Sequence, residues 1–190
     1  MRSRTKILQA TLGLIADVGF GGVTIVGAAQ AAGVSRQTVY SIFGTREELV
    51  SQAISGQLLE AYAEMTSRLE QIEDPGEYVV ETIVLGRTVV REHPVLAVLL
   101  GGGGENPVFD EGMVDRAKPI GHQLLAPLVR RCPELEPHAD DIVVMALLLG
   151  LSVVLFAGDT MGSDDELRMF LRRWLLPAMP PVGAPTPRDS

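Results

Sequence analysis

The sequence predicts an all-α protein of about nine helices, and three observations lead there. Aromatic residues make up only 5% of the 190-residue chain, and its apolar bulk is Leu, Val, Ile and Ala. Sheet-rich folds draw more heavily on aromatic and β-branched residues. Apolar residues recur at spacings of three and four, most plainly along Val50, Ile54, Leu58, Tyr62, Met65, Leu69 and Ile72. Capping residues punctuate these runs, with Thr24, Ser35 and Thr45 at starts and Gly33 at an end. A hydrophobic fraction of 46% supplies a sizeable core.

The elements follow in order. A first helix covers residues 3–18, with Leu8, Leu12 and Ile15 on one face, and Gly19, Gly21 and Gly22 end it. Thr24 caps a short helix over residues 25–32, and Gly33 supplies a left-handed turn that a side chain would resist. Ser35 caps a third helix over residues 36–43. Thr45-Arg46-Glu47-Glu48 reads as a capping box opening one long amphipathic helix. Asp74-Pro75-Gly76-Glu77 starts a fifth helix that reaches Glu92, and Pro94 opens a short sixth. Residues 101–112, rich in glycine, are expected to form a flexible loop. Helices over residues 113–131, 137–157 and 164–176 complete the set, the seventh bent by Pro119 and Pro127. The tail, residues 177–190, holds five prolines and little to bury, so it is expected to be disordered. The division this suggests is an N-terminal domain over residues 1–46, a second over 47–176, and the tail.

Charge is unevenly spread along the chain. The net charge is −8, yet residues 1–50 carry five cations (Arg2, Arg4, Lys6, Arg36, Arg46) against three acids (Asp17, Glu47, Glu48). The remainder therefore holds a net −10. If any segment meets phosphates it is the N-terminal one, and the acidic remainder would repel nucleic acid in other orientations.

Several function classes find no support. Cys132 is the only cysteine, so neither a disulfide framework nor a cysteine zinc site is available. His93, His122 and His138 lie far apart without metal-ligand spacing. No phosphate loop, nucleophile elbow or paired-carboxylate motif stands out, and Gly101–Gly104 is followed by no P-loop lysine. The expectation is therefore no enzyme, no cofactor and no metal. Residues 142–157 are apolar except for Gly150 and Ser152, but sixteen residues are short for a membrane span, and acidic residues flank them. A buried helix is the favoured reading, and the cytoplasm the expected compartment.

Residues 24–49 make a helix-turn-helix by pattern alone. On the third helix Ser35, Val39, Ile42 and Phe43 fall together, and Arg36, Gln37, Tyr40 and Ser41 form the opposite stripe. That stripe offers a guanidinium for guanine, an amide for adenine and hydroxyls for phosphates.

The N-terminal quarter resembles the TetR (tetracycline repressor) family of transcriptional regulators. The matching residues are Arg4, Ile7-Leu8, Ala10, Gly19-Phe20, Thr24, Ala29, Ala32-Gly33-Val34-Ser35, Thr38-Val39-Tyr40, Phe43 and Arg46-Glu47-Glu48-Leu49. The resemblance implies an N-terminal three-helix helix-turn-helix DNA-binding domain and a C-terminal helical ligand-binding and dimerisation domain. It assigns DNA-facing roles to Thr24, Ser35, Arg36, Gln37, Thr38, Tyr40 and Arg46. Arg36, Gln37 and Ser41 would reach bases. Thr24, Tyr40 and Arg46 would hold phosphates, with Arg46 in place of the family's common lysine. Val26, Gly27 and Ala28 depart from the family pattern, and Gly27 inside a helix costs about 1 kcal/mol against alanine. Arg2, Arg4 and Lys6 form a basic arm that could reach a groove.

The implied function is a repressor, homodimeric and cytoplasmic, released from a palindromic double-stranded operator by a small apolar effector. The eighth and ninth helices would supply the dimer interface, through Leu148, Leu151, Leu155, Leu167, Phe170, Leu171 and Trp174. Tyr62, Met65, Arg87, Arg91 and His122 are the candidate ligand residues. Arg87 sits in the apolar stripe of Val80, Ile83, Val84 and Val90, so its charge needs an anionic partner. An internal carboxylate (Asp115, Asp140 or Asp141) is favoured over an acidic group on a ligand. The rivals are a non-regulatory DNA-binding accessory protein, a small helical enzyme built around His122, and a membrane protein.

Overall fold

The computed structural model describes residues 2–101, 112–156 and 161–181. The described residues form nine α-helices: α1 (Arg2–Gly22), α2 (Ile25–Ala32), α3 (Arg36–Phe43), α4 (Arg46–Leu69), α5 (Pro75–Glu92), α6 (Pro94–Gly101), α7 (Met113–Arg131), α8 (Ala139–Phe156) and α9 (Asp164–Trp174). Strands are absent among them. The chain divides into two compact units, Met1–Ala63 with Arg91–Glu105, and Glu64–Val90 with Asn106–Ser190. The sequence suggested a division at residue 46; the division instead falls within α4, and α6 joins the first unit.

In the first unit, α1 is interrupted at Gly19, whose φ of 71° no ordinary side chain accepts readily. α2 is short and apolar, and it buries Ile25, Ala28, Ala29 and Ala32. These alanines let α2 lie close to its neighbours, around a cluster completed by Ile7, Val39, Phe43 and Leu49. Fully burying a side chain such as Ile7 contributes about 1.5–3 kcal/mol. Gly33 ends α2 in the left-handed region, at φ 62°. A second cluster joins Ile15 and Val23 to Val95, with Val50, Ile54 and Val98 packed against it. This is why α6 belongs here: Val95 and Val98 cover the far side of α1.

Two sequence expectations shift. The buried line of α4 in this unit is Leu49, Ala53, Gln57 and Ala61, one residue before the predicted stripe, and Leu58 is exposed. Close helix packing selects the small residues, whereas a hydrophobicity pattern selects the large ones. At Thr45 only half of the capping box forms. The Thr45 hydroxyl accepts from the Glu48 amide at 3.1 Å, but the Glu48 carboxylate takes a hydrogen bond from Gln52 and the Thr45 amide donates to Phe43. Gln57, also buried, donates its amide to His93 Nδ1 at 2.7 Å.

In the second unit, α5 buries Tyr78, Val79, Val80, Ile83, Val84, Leu85, Arg87 and Val89. Tyr78 donates its hydroxyl to the Leu124 carbonyl on α7 at 2.6 Å. α7 and α8 meet closely at Gly121, where a Cβ would stand 2.6 Å from Val143 Cγ1. α9 runs antiparallel to α5 and is tied to it by charge. Arg172 binds the Glu77 carboxylate through Nε and Nη2, both at 2.8 Å at their shortest, and Arg168 binds Glu81 at 2.5 and 3.1 Å. Its start is fixed by a full capping box between Ser163 and Glu166.

α8 differs from the expectation of a buried helix. Of its residues only Ile142 and Val143 are buried within the chain. The helical stretch Pro133–Phe156 is long and apolar enough to cross a membrane, with a mean hydropathy of 2.2 over its most apolar window. Its first turn is a separate 3-10 segment, Pro133–His138. The expected loop at residues 101–112 lies outside the described residues except at Gly101, which ends α6, and Gly112, which precedes α7, and most of the tail lies outside them too. The start of that tail forms a 3-10 turn, Leu176–Ala178, rather than disordered chain.

Candidate nucleic-acid interface

α3 is eight residues long and owes its orientation to two buried side chains. Val39 is fully enclosed and Phe43 nearly so, both in the α2 cluster. That leaves the opposite stripe outside. Arg36, Gln37, Tyr40 and Ser41 are all exposed, Tyr40 by 55%. None of the four side chains makes a hydrogen bond or ion pair among the described residues. Ile42, which the sequence grouped with the core face, is at the solvent side of that boundary, 36% exposed. The stripe therefore holds a free guanidinium, a free carboxamide and two free hydroxyls on one helical surface. This is the donor and acceptor set that reads base edges in a major groove.

The hydroxyls flanking that stripe have structural duties. Thr24 caps α2 by accepting from the Gly27 amide at 3.0 Å. A Cβ on residue 27 would stand 3.2 Å from that hydroxyl, so glycine leaves the cap its space. Ser35 caps α3 by accepting from the Thr38 amide at 3.1 Å, and its hydroxyl pairs with that of Thr38 at 2.8 Å.

The cations of the first unit divide in two. Arg4 donates to Gln52 Oε1 at 2.5 Å and stacks over the Phe43 ring, 5.8 Å from its centroid. Arg46 donates through Nε to the Val23 carbonyl at 2.6 Å and through Nη2 to the Phe20 carbonyl. Both tie helices together. Lys6 instead brings its ammonium to the turn before α3, 3.4 Å from where a Cβ on Gly33 would be. No sequence pattern announces this proximity; Lys6 directly precedes the buried Ile7-to-Thr11 line, and the packing of α1 sets where its ammonium reaches.

The candidate ligand residues lie on α4, α5 and α7. Tyr62 and Arg91 fall in the first unit, and Met65, Arg87 and His122 in the second. Met65 reaches over Gly86 of α5. Arg87 is 5% exposed; its Nη2 donates to the Met161 carbonyl at 2.5 Å, and its Nε lies 3.9 Å from Asp164 Oδ1. Its partner is thus Asp164, not Asp115, Asp140 or Asp141. The reason is topological: α9 runs alongside α5 and brings Asp164, which also accepts from Thr88 at 2.8 Å, to the level of Arg87. Nη1 of Arg87 has no hydrogen-bond partner. His122 is half-exposed and pairs with Asp140 at 3.2 Å, beside Lys118 at 3.4 Å. The hydrogen bond from His122, then that from Lys118, holds the Asp140 carboxyl below the usual carboxylate value. Among the described residues no cluster of three or more His, Cys, Asp or Glu could hold a metal ion.

The expected dimer residues separate as well. Leu167 and Leu171 are buried in the chain's own core, so they are removed from the candidate interface. The apolar residues of α9 that face outward are Met169, Phe170 and Trp174, the last 64% exposed. On α8, Leu148 and Phe156 are exposed and Leu151 and Leu155 half-buried. The sequence analysis did not single out Met169 and Phe156, which are both exposed.

Comparison with known proteins agrees with this geometry. Residues 7–53 match the family described as bacterial regulatory proteins, tetR family. No curated protein aligns significantly with the sequence. Among solved structures, a TetR-like transcriptional regulator from a Rhodococcus species is 19% identical, with a TM-score of 0.62 over 89% of this chain and 91% of that one. The TetR-family repressor AlkX from a Dietzia species, implicated in biodegradation of n-alkanes, is 20% identical, with a TM-score of 0.56 over 92% and 94%. The fatty acid degradation regulator FadR from Bacillus halodurans is 14% identical, with a TM-score of 0.56 over 93% and 97%. Residues 7–53 are thus similar to the tetR-family model, and the chain as a whole has the fold seen in solved TetR-family transcriptional regulators.

Proposed function

We propose that the protein is a homodimeric, cytoplasmic transcriptional repressor that binds a palindromic operator through α3 and leaves it when a small apolar effector binds. The observation that carries the reading is the outward stripe of α3. Arg36 and Gln37 stand exposed and unpaired on a helix whose other side is locked by Val39 and Phe43. Arg36 would pair with guanine and Gln37 with adenine, while Tyr40 and Lys6 hold phosphates.

A two-fold dimer places two recognition helices about 34 Å apart, one turn of DNA. The open apolar surface of α8 and α9 supports a second copy as its occupant. Leu148, Phe156, Met169, Phe170 and Trp174 would face the partner, with Leu151 and Leu155 beside them. That reading also accounts for an apolar helix of which only Ile142 and Val143 are buried within the chain. An apolar effector is supported by the n-alkane and fatty-acid settings of two structural neighbours. Arg87, already facing Asp164, is a brace in this reading and does not hold an effector carboxylate. An effector shifts the balance only by its differential affinity for the bound and released states.

Gel shifts on the DNA flanking its own gene, read beside native mass spectrometry, test the proposal. We expect two chains per duplex and competition by the specific site far above random duplex. Equal competition by random duplex would favour a non-regulatory accessory protein instead.

A further inference from the structure

Arg46 stands where the sequence placed a phosphate contact, yet all three of its nitrogens are engaged within the domain. Nε donates to the Val23 carbonyl at 2.6 Å and Nη2 to the Phe20 carbonyl. Nη1 faces the Glu47 carboxylate at 3.5 Å. A phosphate approaching Nη1 would meet the like charge of that carboxylate. Arg46 is also the first residue of α4, at the positive end of that helix, where a cation is disfavoured unless acceptors offset it. The carbonyls of Phe20, in the last turn of α1, and of Val23, just past it, provide that offset.

The same helix is tied at the other end of α1. Arg4 donates to Gln52 Oε1, and Gln52 in turn donates to Glu48 Oε1 at 2.6 Å. The first two turns of α4 therefore grip α1 at both ends. The Arg46 grip falls on Val23, one residue before the Thr24 cap that starts α2.

We infer that Arg46 is a positioning residue for DNA reading: it fixes the α1–α2 junction against the start of α4 and so sets the angle of the helix-turn-helix, without touching phosphate. The inference rests on the DNA-binding reading above. It leaves Arg2, Lys6 and Arg36 as the cations of the first fifty residues that can meet DNA, with operator affinity depending more on shape and base contacts than on charge.

Arg46→Lys separates the two roles. Lysine keeps the charge a phosphate needs but lacks the planar fork that reaches two carbonyls at once. The probe is a duplex selected from a randomised pool by the wild-type full-length protein, measured against a shuffled duplex across a salt titration. We expect Arg46→Lys to bind the selected duplex about tenfold more weakly or worse, the order expected for losing a charge-assisted hydrogen bond. The slope of log affinity against log salt should match the wild type in both Arg46→Lys and Arg46→Gln. Gln52→Leu, which cuts the other tie without removing a cation, should give a smaller loss with the same unchanged slope. In the free protein, hydrogen exchange at the amides of Val23 to Gly27 should quicken in Arg46→Lys.

Wild-type affinity in Arg46→Lys, with a slope in Arg46→Gln reduced by about 0.9 for each lost contact, would overturn the inference and restore the phosphate role. If the wild type selects no duplex at all, the functional reading fails. Hydrogen exchange then still decides the brace, and unchanged exchange in Arg46→Lys would reject it.

Discussion

α3 and the α8–α9 pair both present side chains to solvent, with opposite chemistry. α3 shows Arg36, Gln37, Tyr40 and Ser41; α8 and α9 show Leu148, Phe156, Met169, Phe170 and Trp174. Polar exposure is ordinary, so the stripe on α3 has meaning only through its setting in a short, capped, rigidly seated helix. Apolar exposure of large side chains on α8 and on α9 is out of place in itself and stands out without any motif. One surface has to be recognised by motif, the other by misfit.

Four measurements would break or sharpen that contrast, and the largest effect lies on the apolar side. Phe170→Glu with Trp174→Glu should shift the protein to monomers in sedimentation, weakening association by about a thousandfold, since buried aromatics carry about 2–4 kcal/mol each at interfaces. Unchanged dimerisation would show that another surface pairs the chains. On the polar side, Arg36→Ala should leave the dimer intact but weaken operator binding by about 1–3 kcal/mol and relax base preference at one position. Arg87→Met acts behind α9, removing the charge facing Asp164. It should lower the melting free energy by about 2 kcal/mol while the folded protein keeps its effector response. Loss of response without loss of stability would make Arg87 a ligand residue after all.

The smallest effect concerns Asp140, in the first turn of α8. Its carboxyl is depressed by His122 and Lys118, so its contribution is complete above the ordinary carboxylate value and fades as pH falls through the lower folded one. Asp140→Asn should slightly lower stability at neutral pH and flatten the acid side of the stability curve, the variant and the wild type converging as pH falls. A change of dimer affinity near neutrality would show that this exposed cluster reaches the pairing surface.

The two regions were also unequally legible. Around α3 the sequence fixes nearly everything locally: Thr24 and Ser35 cap, Gly33 turns, and Val39 and Phe43 repeat at one helical turn. Arg46 escaped, because its acceptors are backbone carbonyls, which every residue possesses and no pattern announces. Around α9 the periodicity was clear but its facing was not. Leu167, Phe170, Leu171 and Trp174 all looked apolar on one side; the division into core and surface came from Glu77 and Glu81 fixing Arg172 and Arg168. The Ser163-to-Glu166 spacing did announce a capping box that could have been read. Asp164 as the partner of Arg87 could not, since their meeting depends on how α9 returns along α5.

That α5–α9 ladder governs how the apolar ridge is offered. Asp164, Arg168 and Arg172 lie on one line of α9, Leu167, Leu171 and Leu175 on the next, and Phe170 and Trp174 beyond them. A roll of one residue about the helix axis would drive arginines inward and leucines out, so a single phase is permitted. The aromatics are therefore aimed before any encounter, and little rotational freedom of the helix remains to be lost when a second surface arrives.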